Sequence, residues 1–88
     1  MLKLVTLGRF ERELKKLKKR GKNMATLQEV VKTLQAKKSL APKHRPHKLH
    51  GKFTGYWECH VEPDWLLVYK ATDKELILFA TGTHSDLF

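Results

Sequence analysis

The feature that most restricts the fold is a change of hydrophobic period near the middle of the chain. From Leu7 to Leu34 apolar residues recur at steps of three and four, the spacing of one helical face. Ala41-Pro42 and Arg45-Pro46 then break any helix, since proline disfavours helical geometry in the residue before it. Beyond them the period becomes two, the signature of strands. Helices followed by strands in 88 residues imply a single α+β domain over residues 1–88, with the helices packed on a sheet.

Residues 2–6 (LKLVT) alternate weakly and read as a short first strand. Leu7, Phe10, Leu14 and Leu17 form the apolar face of a first helix, and Arg9, Arg12, Lys16 and Lys19 form a basic stripe beside it. Gly21 stops this helix, and Asn23 caps a second one that buries Met24, Leu27, Val30, Val31 and Leu34 and fades near Lys37-Lys38. The short link predicts an antiparallel helical hairpin. Residues 47–53, 56–62, 65–69 and 76–81 read as strands, with Pro63-Asp64 and Thr72-Asp73-Lys74 as turns. Trp65 to Tyr69 is almost wholly apolar and is expected at the centre of a small, mostly antiparallel sheet of four to five strands.

The formal net charge of +9 is unevenly spread. Residues 1–50 carry 15 Lys and Arg against 3 acids, whereas residues 51–88 carry 3 against 6. A basic N-terminal half suits a polyanion, and the missing aromatic wedge favours phosphate backbones over a membrane surface. No apolar run approaches the ~18 residues of a membrane span, and MLKLVTLGRF lacks the pattern of a secretory leader. Cys59 is the only cysteine, so no internal disulfide forms, and a reducing cytoplasm is the expected home.

Against that background the histidines stand out. On the strand reading, Trp57, Cys59 and Val61 share one face, so His60 points to the other; Asp64 lies just past that strand's end. His84 follows the last strand, and His47 and His50 lie on the strand entering the sheet. Groups gathered at one sheet edge would suit RNA transesterification, in which the substrate's own 2′-hydroxyl attacks. Such chemistry needs proton transfer by groups that titrate near pH ~6.5, and positive charge at the phosphate. DNA, lacking that hydroxyl, would be bound and left intact.

Plainer readings compete at each position. A lone histidine on a polar strand face is ordinarily solvated, and Asp64 after proline is a natural turn former. The spacing of His44, His47 and His50 imitates a metal comb, but Pro46 rules out a helix there and no cysteine assists. His84-Ser85-Asp86 is no hydrolase triad, because adjacent residues cannot adopt that geometry. Glu58 and Glu62 are read as balancing lysines, Trp57 and Trp65 as packing residues, and Phe88 as either a core cover or a base-stacking platform.

The run HKLHGKFTGYWECHVEPDWLLVYK, followed by TGTHSDLF, resembles the YafQ-like branch of the RelE-type toxins of bacterial toxin–antitoxin pairs. The likeness is close over about half the chain, and the two basic helices fit the same domain in length and order. It implies the RelE-like toxin fold and a metal-independent endoribonuclease that cleaves mRNA at the ribosome, needs no cofactor and is silenced by a cognate antitoxin. Carried over motif by motif, the active residues are His47, His60, Asp64 and His84, with Trp65 and Phe88 against the substrate and His50 beside them. Relatives often carry arginines where Trp57 and Ala80 stand here, and no arginine follows Arg45. Positive charge at the phosphate then falls to Lys52, Lys70 or a protonated His47, while Arg9, Arg12, Lys16 and Lys19 are expected on ribosomal RNA. Two readings stand beside this one: a non-catalytic toxin of the same architecture that acts on DNA gyrase, and a plain RNA-binding module.

Overall fold

The computed structural model describes residues 1–88. The chain runs as strand β1 (Lys3–Thr6), helices α1 (Gly8–Lys19) and α2 (Met24–Gln35), strands β2 (His47–Lys48), β3 (Trp57–Glu62), β4 (Trp65–Ala71) and β5 (Glu75–Gly82), and a final single-turn helix, α3 (His84–Leu87). The five strands form one sheet in the order β1-β5-β4-β3-β2. β2 to β5 pair antiparallel, but β1 lies parallel to β5, so the sheet is mixed. α3 was not foreseen, because four residues are too few to show a helical period.

The local signals act as read. Gly21 takes a positive φ of 85° after α1, and the Asn23 side chain accepts a hydrogen bond from the Ala25 N–H at the start of α2. Phe10 and Leu17 from α1, and Leu27, Val30 and Val31 from α2, join Cys59, Val61, Leu67, Leu76 and Leu78 from one sheet face in the main core. Burial pushes the Cys59 thiol up to about 12, helped by nearby Glu58, which leaves it inert.

The expected strand over 47–53 is corrected. Only His47 and Lys48 pair with β3; the backbone then turns at Gly51, which has φ 69°, into a 3-10 turn over Gly51–Phe53. The Thr54 hydroxyl donates to the Gly51 carbonyl at 2.6 Å and closes that turn. His50 and Lys52 therefore leave the sheet edge instead of continuing it.

β1 is also short, and this shapes the site. Its last partner is Thr6 opposite Leu78, so the edge of β5 beyond that point has no neighbouring strand. The first turns of α1 cover it: the Leu7 N–H donates to the Leu78 carbonyl, and Glu13 accepts the Thr81 N–H at 3.1 Å.

Replacing Leu17, which is 1% exposed, with alanine is expected to cost about 2–5 kcal/mol of stability, against about 1 kcal/mol for Asn23→Ala. Urea denaturation followed by circular dichroism measures both.

Candidate active site

β4 is buried on both faces. Trp65, Leu67 and Tyr69 enter the core beneath the helices, while Leu66 and Val68 face the other way and are equally covered. What covers this second face comes from the loop after β2 and from the chain's last residues. Leu49, Phe53, Leu87 and Phe88 close over Val68, Phe79 and Ala80 in a shallow apolar groove that Arg9 also lines.

At one end of this face sits a cluster of titratable groups. His60 is 6% exposed on β3 and lies 3.1 Å, through Nδ1, from the Pro63 carbonyl. A carbonyl only accepts, so Nδ1 donates and Nε2 of the neutral ring keeps its lone pair. The His60 carbonyl in turn lies 2.6 Å from His44 Nδ1, which steadies β3 from outside. The His84 ring stands 5.8 Å from that of His60, centre to centre, and its Nδ1 is 2.8 Å from Asp64 Oδ1. The same oxygen accepts the His84 backbone N–H at 3.2 Å. These two hydrogen bonds from His84, side chain first, hold the Asp64 carboxyl below its ordinary range, so it is an anion facing an imidazole N–H.

His47 pairs across the strands with Glu58, its Nε2 lying 3.3 Å from Oε1. Its Nδ1 lies 3.2 Å from the Arg45 carbonyl. A neutral ring donates to only one of these acceptors; the imidazolium donates to both. Glu58 is itself only 7% exposed, and no buried side-chain polar atom in the protein lacks a partner.

α3 is held by a latch. Arg20, just beyond α1, reaches both Asp86 oxygens at 2.8 and 3.2 Å, and Thr83 and Asp86 form a reciprocal capping box. The Arg20 hydrogen bonds, with those from Thr83, press the Asp86 carboxyl well below its ordinary value. The Phe88 N–H donates to the His84 carbonyl, so Phe88 projects one turn beyond His84.

Several expectations are met in space. His60, Asp64 and His84 meet directly, His47 flanks them through Glu58, and Phe88 lies in the groove with 66% of its surface exposed. Others are corrected. Trp65, expected against the substrate, is fully buried, and its Nε1 donates to the Thr81 hydroxyl at 2.8 Å beneath the cluster. His50 borders a separate hollow with Lys48, Tyr56 and Trp57. Lys70 lies over the Tyr56 ring at 5.8 Å, and Lys52 is exposed on the 3-10 turn. Arg9, Arg12, Lys16 and Lys19 are all exposed on α1, and Arg9 also lines the groove.

Glu58 was misread as a lysine counterion; alternation had already placed it on the His60 face, but its partner depends on the β2–β3 register. Glu62 does pair with a lysine, Lys22, at 3.6 Å. Arg20 carried no sequence signal, because it meets Asp86 across 66 positions.

Comparison with known proteins identifies relatives of the same fold. The family described as "Bacterial toxin of type II toxin-antitoxin system, YafQ" matches residues 2–88. The mRNA interferase toxin YafQ of Escherichia coli K12 is 40% identical over 82 residues, 92% of this chain and 89% of that protein. A copper-bound mutant toxin from Helicobacter pylori superposes with a TM-score of 0.96 at 43% identity, covering 100% of both chains. A chain of the Escherichia coli DinJ–YafQ complex gives 0.92 at 37%, covering 100% of this chain and 99% of that one. In the present chain no group of three or more His, Cys, Asp and Glu side chains is placed to hold an ion.

Two outcomes are expected. A Cβ on Gly82 would sit 2.8 Å from the Asp86 Cβ, so Gly82→Ala displaces α3. The His84 ring resonances in an NMR spectrum then shift, while the melting temperature moves little. Because Asp64 and Asp86 have depressed pKa values in the folded protein, their stabilisation is present above the ordinary carboxylate pKa of ~3.9 and is lost as pH falls through the folded values. Acid titration followed by His84 resonances should show this step, and Asp86→Asn should remove the part due to the latch.

Proposed function

We propose, for a chain that belongs to the YafQ family of bacterial toxins of type II toxin–antitoxin systems, the activity of an mRNA interferase, an endoribonuclease that stops translation by cutting messages. The observation that carries the mechanism is the His60–His84–Asp64 cluster on the covered second face of the sheet.

In the proposed reaction the ribose 2′-oxygen attacks the adjacent phosphorus and the bond from phosphorus to the 5′-oxygen breaks. A 2′,3′-cyclic phosphate and a free 5′-hydroxyl result. One proton leaves the 2′-hydroxyl and one must reach the departing 5′-oxygen, so a base and an acid balance the step. His60 presents Nε2 as the base, since Nδ1 is committed to Pro63. His84, whose Nδ1 proton is held by Asp64, delivers its Nε2 proton to the leaving oxygen. Asp64 orients that ring and supports its charged form; it carries no proton itself. His47, between the Arg45 carbonyl and Glu58, supplies positive charge toward the phosphate. Phe88 offers an exposed ring on which a base can stack.

The exposed cations Arg12, Lys16 and Lys19 fit ribosomal RNA phosphates, which makes association steeply dependent on salt. A cognate antitoxin fits the same surface through acidic and apolar side chains; the Escherichia coli relative YafQ forms a complex with DinJ. No helix is long and apolar enough to cross a membrane, and a substrate of translated mRNA supports a cytoplasmic site of action for the proposed activity.

His84→Ala is expected to slow mRNA cleavage on translating ribosomes by about 10²–10⁴-fold, read by primer extension from the cut ends. A message with a single 2′-deoxy nucleotide at the scissile position should bind and stay whole. Cleavage of that message at the substituted position would sink the transesterification mechanism.

A further inference from the structure

The site has a phosphate to neutralise, yet none of its four arginines lies on β3, β4 or β5, and none follows Arg45. Resting on the mRNA-cleaving reading, we infer that Arg9 is the guanidinium that holds a phosphate of the bound RNA inside the cleavage site, and that Glu13 aims it there.

Three observations carry this. First, position: α1 covers the open edge of β5, and Arg9 in its first turn reaches past that edge. It shares the groove with Phe79, Ala80, Leu87 and Phe88, so it borders the short helix that carries His84. Second, orientation: Glu13 accepts the Thr81 N–H through Oε1 and the Arg9 Nε–H, at 3.2 Å, through Oε2. One carboxylate thereby ties the guanidinium to the strand leading into His84. Both terminal amino groups of Arg9 are left without a hydrogen bond, and these form the fork that matches two phosphate oxygens. Third, support: the guanidinium carbon lies 5.0 Å from the centre of the Phe79 ring, on an apolar floor where its charge is less screened than on open helix.

Several other cations are engaged elsewhere. Arg20 is spent on Asp86, Lys22 on Glu62, Lys48 lies over Trp57 and Lys70 over Tyr56. Arg12 Nη1 lies 3.3 Å from where a Cβ on Gly8 would stand, folded back against the start of its own helix. Arg9 thus stays exposed, as its spacing expects, while also bordering the groove.

The test compares wild type, Arg9→Gln, Arg9→Lys and the double variant Lys16→Ala/Lys19→Ala, each checked for folding by its melting curve. Single-turnover mRNA cleavage is measured on ribosomes at saturating protein. Both Arg9 variants should stay at least about tenfold slow at saturation, because lysine lacks the fork. The double variant should recover, since its defect is in association. A second arm measures binding of a dye-labelled, all-2′-deoxy single strand against salt by fluorescence anisotropy. Arg9→Gln should lower the slope of log K on log salt by about one. Saturation that restores Arg9→Gln to the wild-type rate, or Arg9→Lys cleaving like wild type, overturns the assignment. Should wild type not cut RNA at all, the mRNA-cleaving reading fails. The second arm then decides separately whether Arg9 holds phosphate, and an unchanged slope rejects it.

Discussion

A central strand with two apolar faces must be covered twice, and the rest of this structure answers that demand. Trp65 to Tyr69 are all at most 5% exposed. α1 and α2 bury one side, as their apolar stripes require. The loop after β2 and residues 87–88 close the other side. The segment that completes the fold therefore also delivers His84 and Phe88. Packing shares that face with the His60–His84–Asp64 cluster, and the hydrophobic term that closes it also positions His84 and Phe88.

Polar links fix what apolar closure leaves loose. Trp65 donates to the Thr81 hydroxyl, which donates to the Leu66 carbonyl, a buried chain that fixes β4 against β5 directly beneath the site. Glu13 fastens α1 to the same stretch of β5, and Arg20 fastens the far end of α1 to α3. Helix α1 is thus more than a basic docking rod: it holds the catalytic segment at both ends. The charge asymmetry of the sequence takes a specific form here, since Lys22–Glu62 and Arg20–Asp86 both join the basic half to the acidic half.

The two histidine pairings divide the work by chemistry. His84 faces a solvated aspartate that stays ionised, an arrangement suited to giving up the proton on its other nitrogen. His47 faces a buried glutamate and a carbonyl, an arrangement suited to holding a charge in place. His60, bonded to a carbonyl only, is left with a free lone pair. Three identical side chains are suited to three different tasks in the proposed reaction because their partners differ.

The amino-acid sequence determined, through period and turn chemistry, the helices, the central strand, the caps at Gly21 and Asn23, and the placing of His60 opposite Cys59. These are local consequences of side-chain alternation and backbone preference, and they do not depend on distant residues. It also carried enough motif to point to the right family. The tertiary structure alone decided the rest: that Asp64 meets His84 and Glu58 meets His47, that Trp65 lies buried beneath that cluster, and that Arg9 borders the groove. Each of these depends on which strand lies beside which, and on where β1 stops short. Strand order and register arise from the closing of the whole sheet, which no window of neighbouring residues encodes.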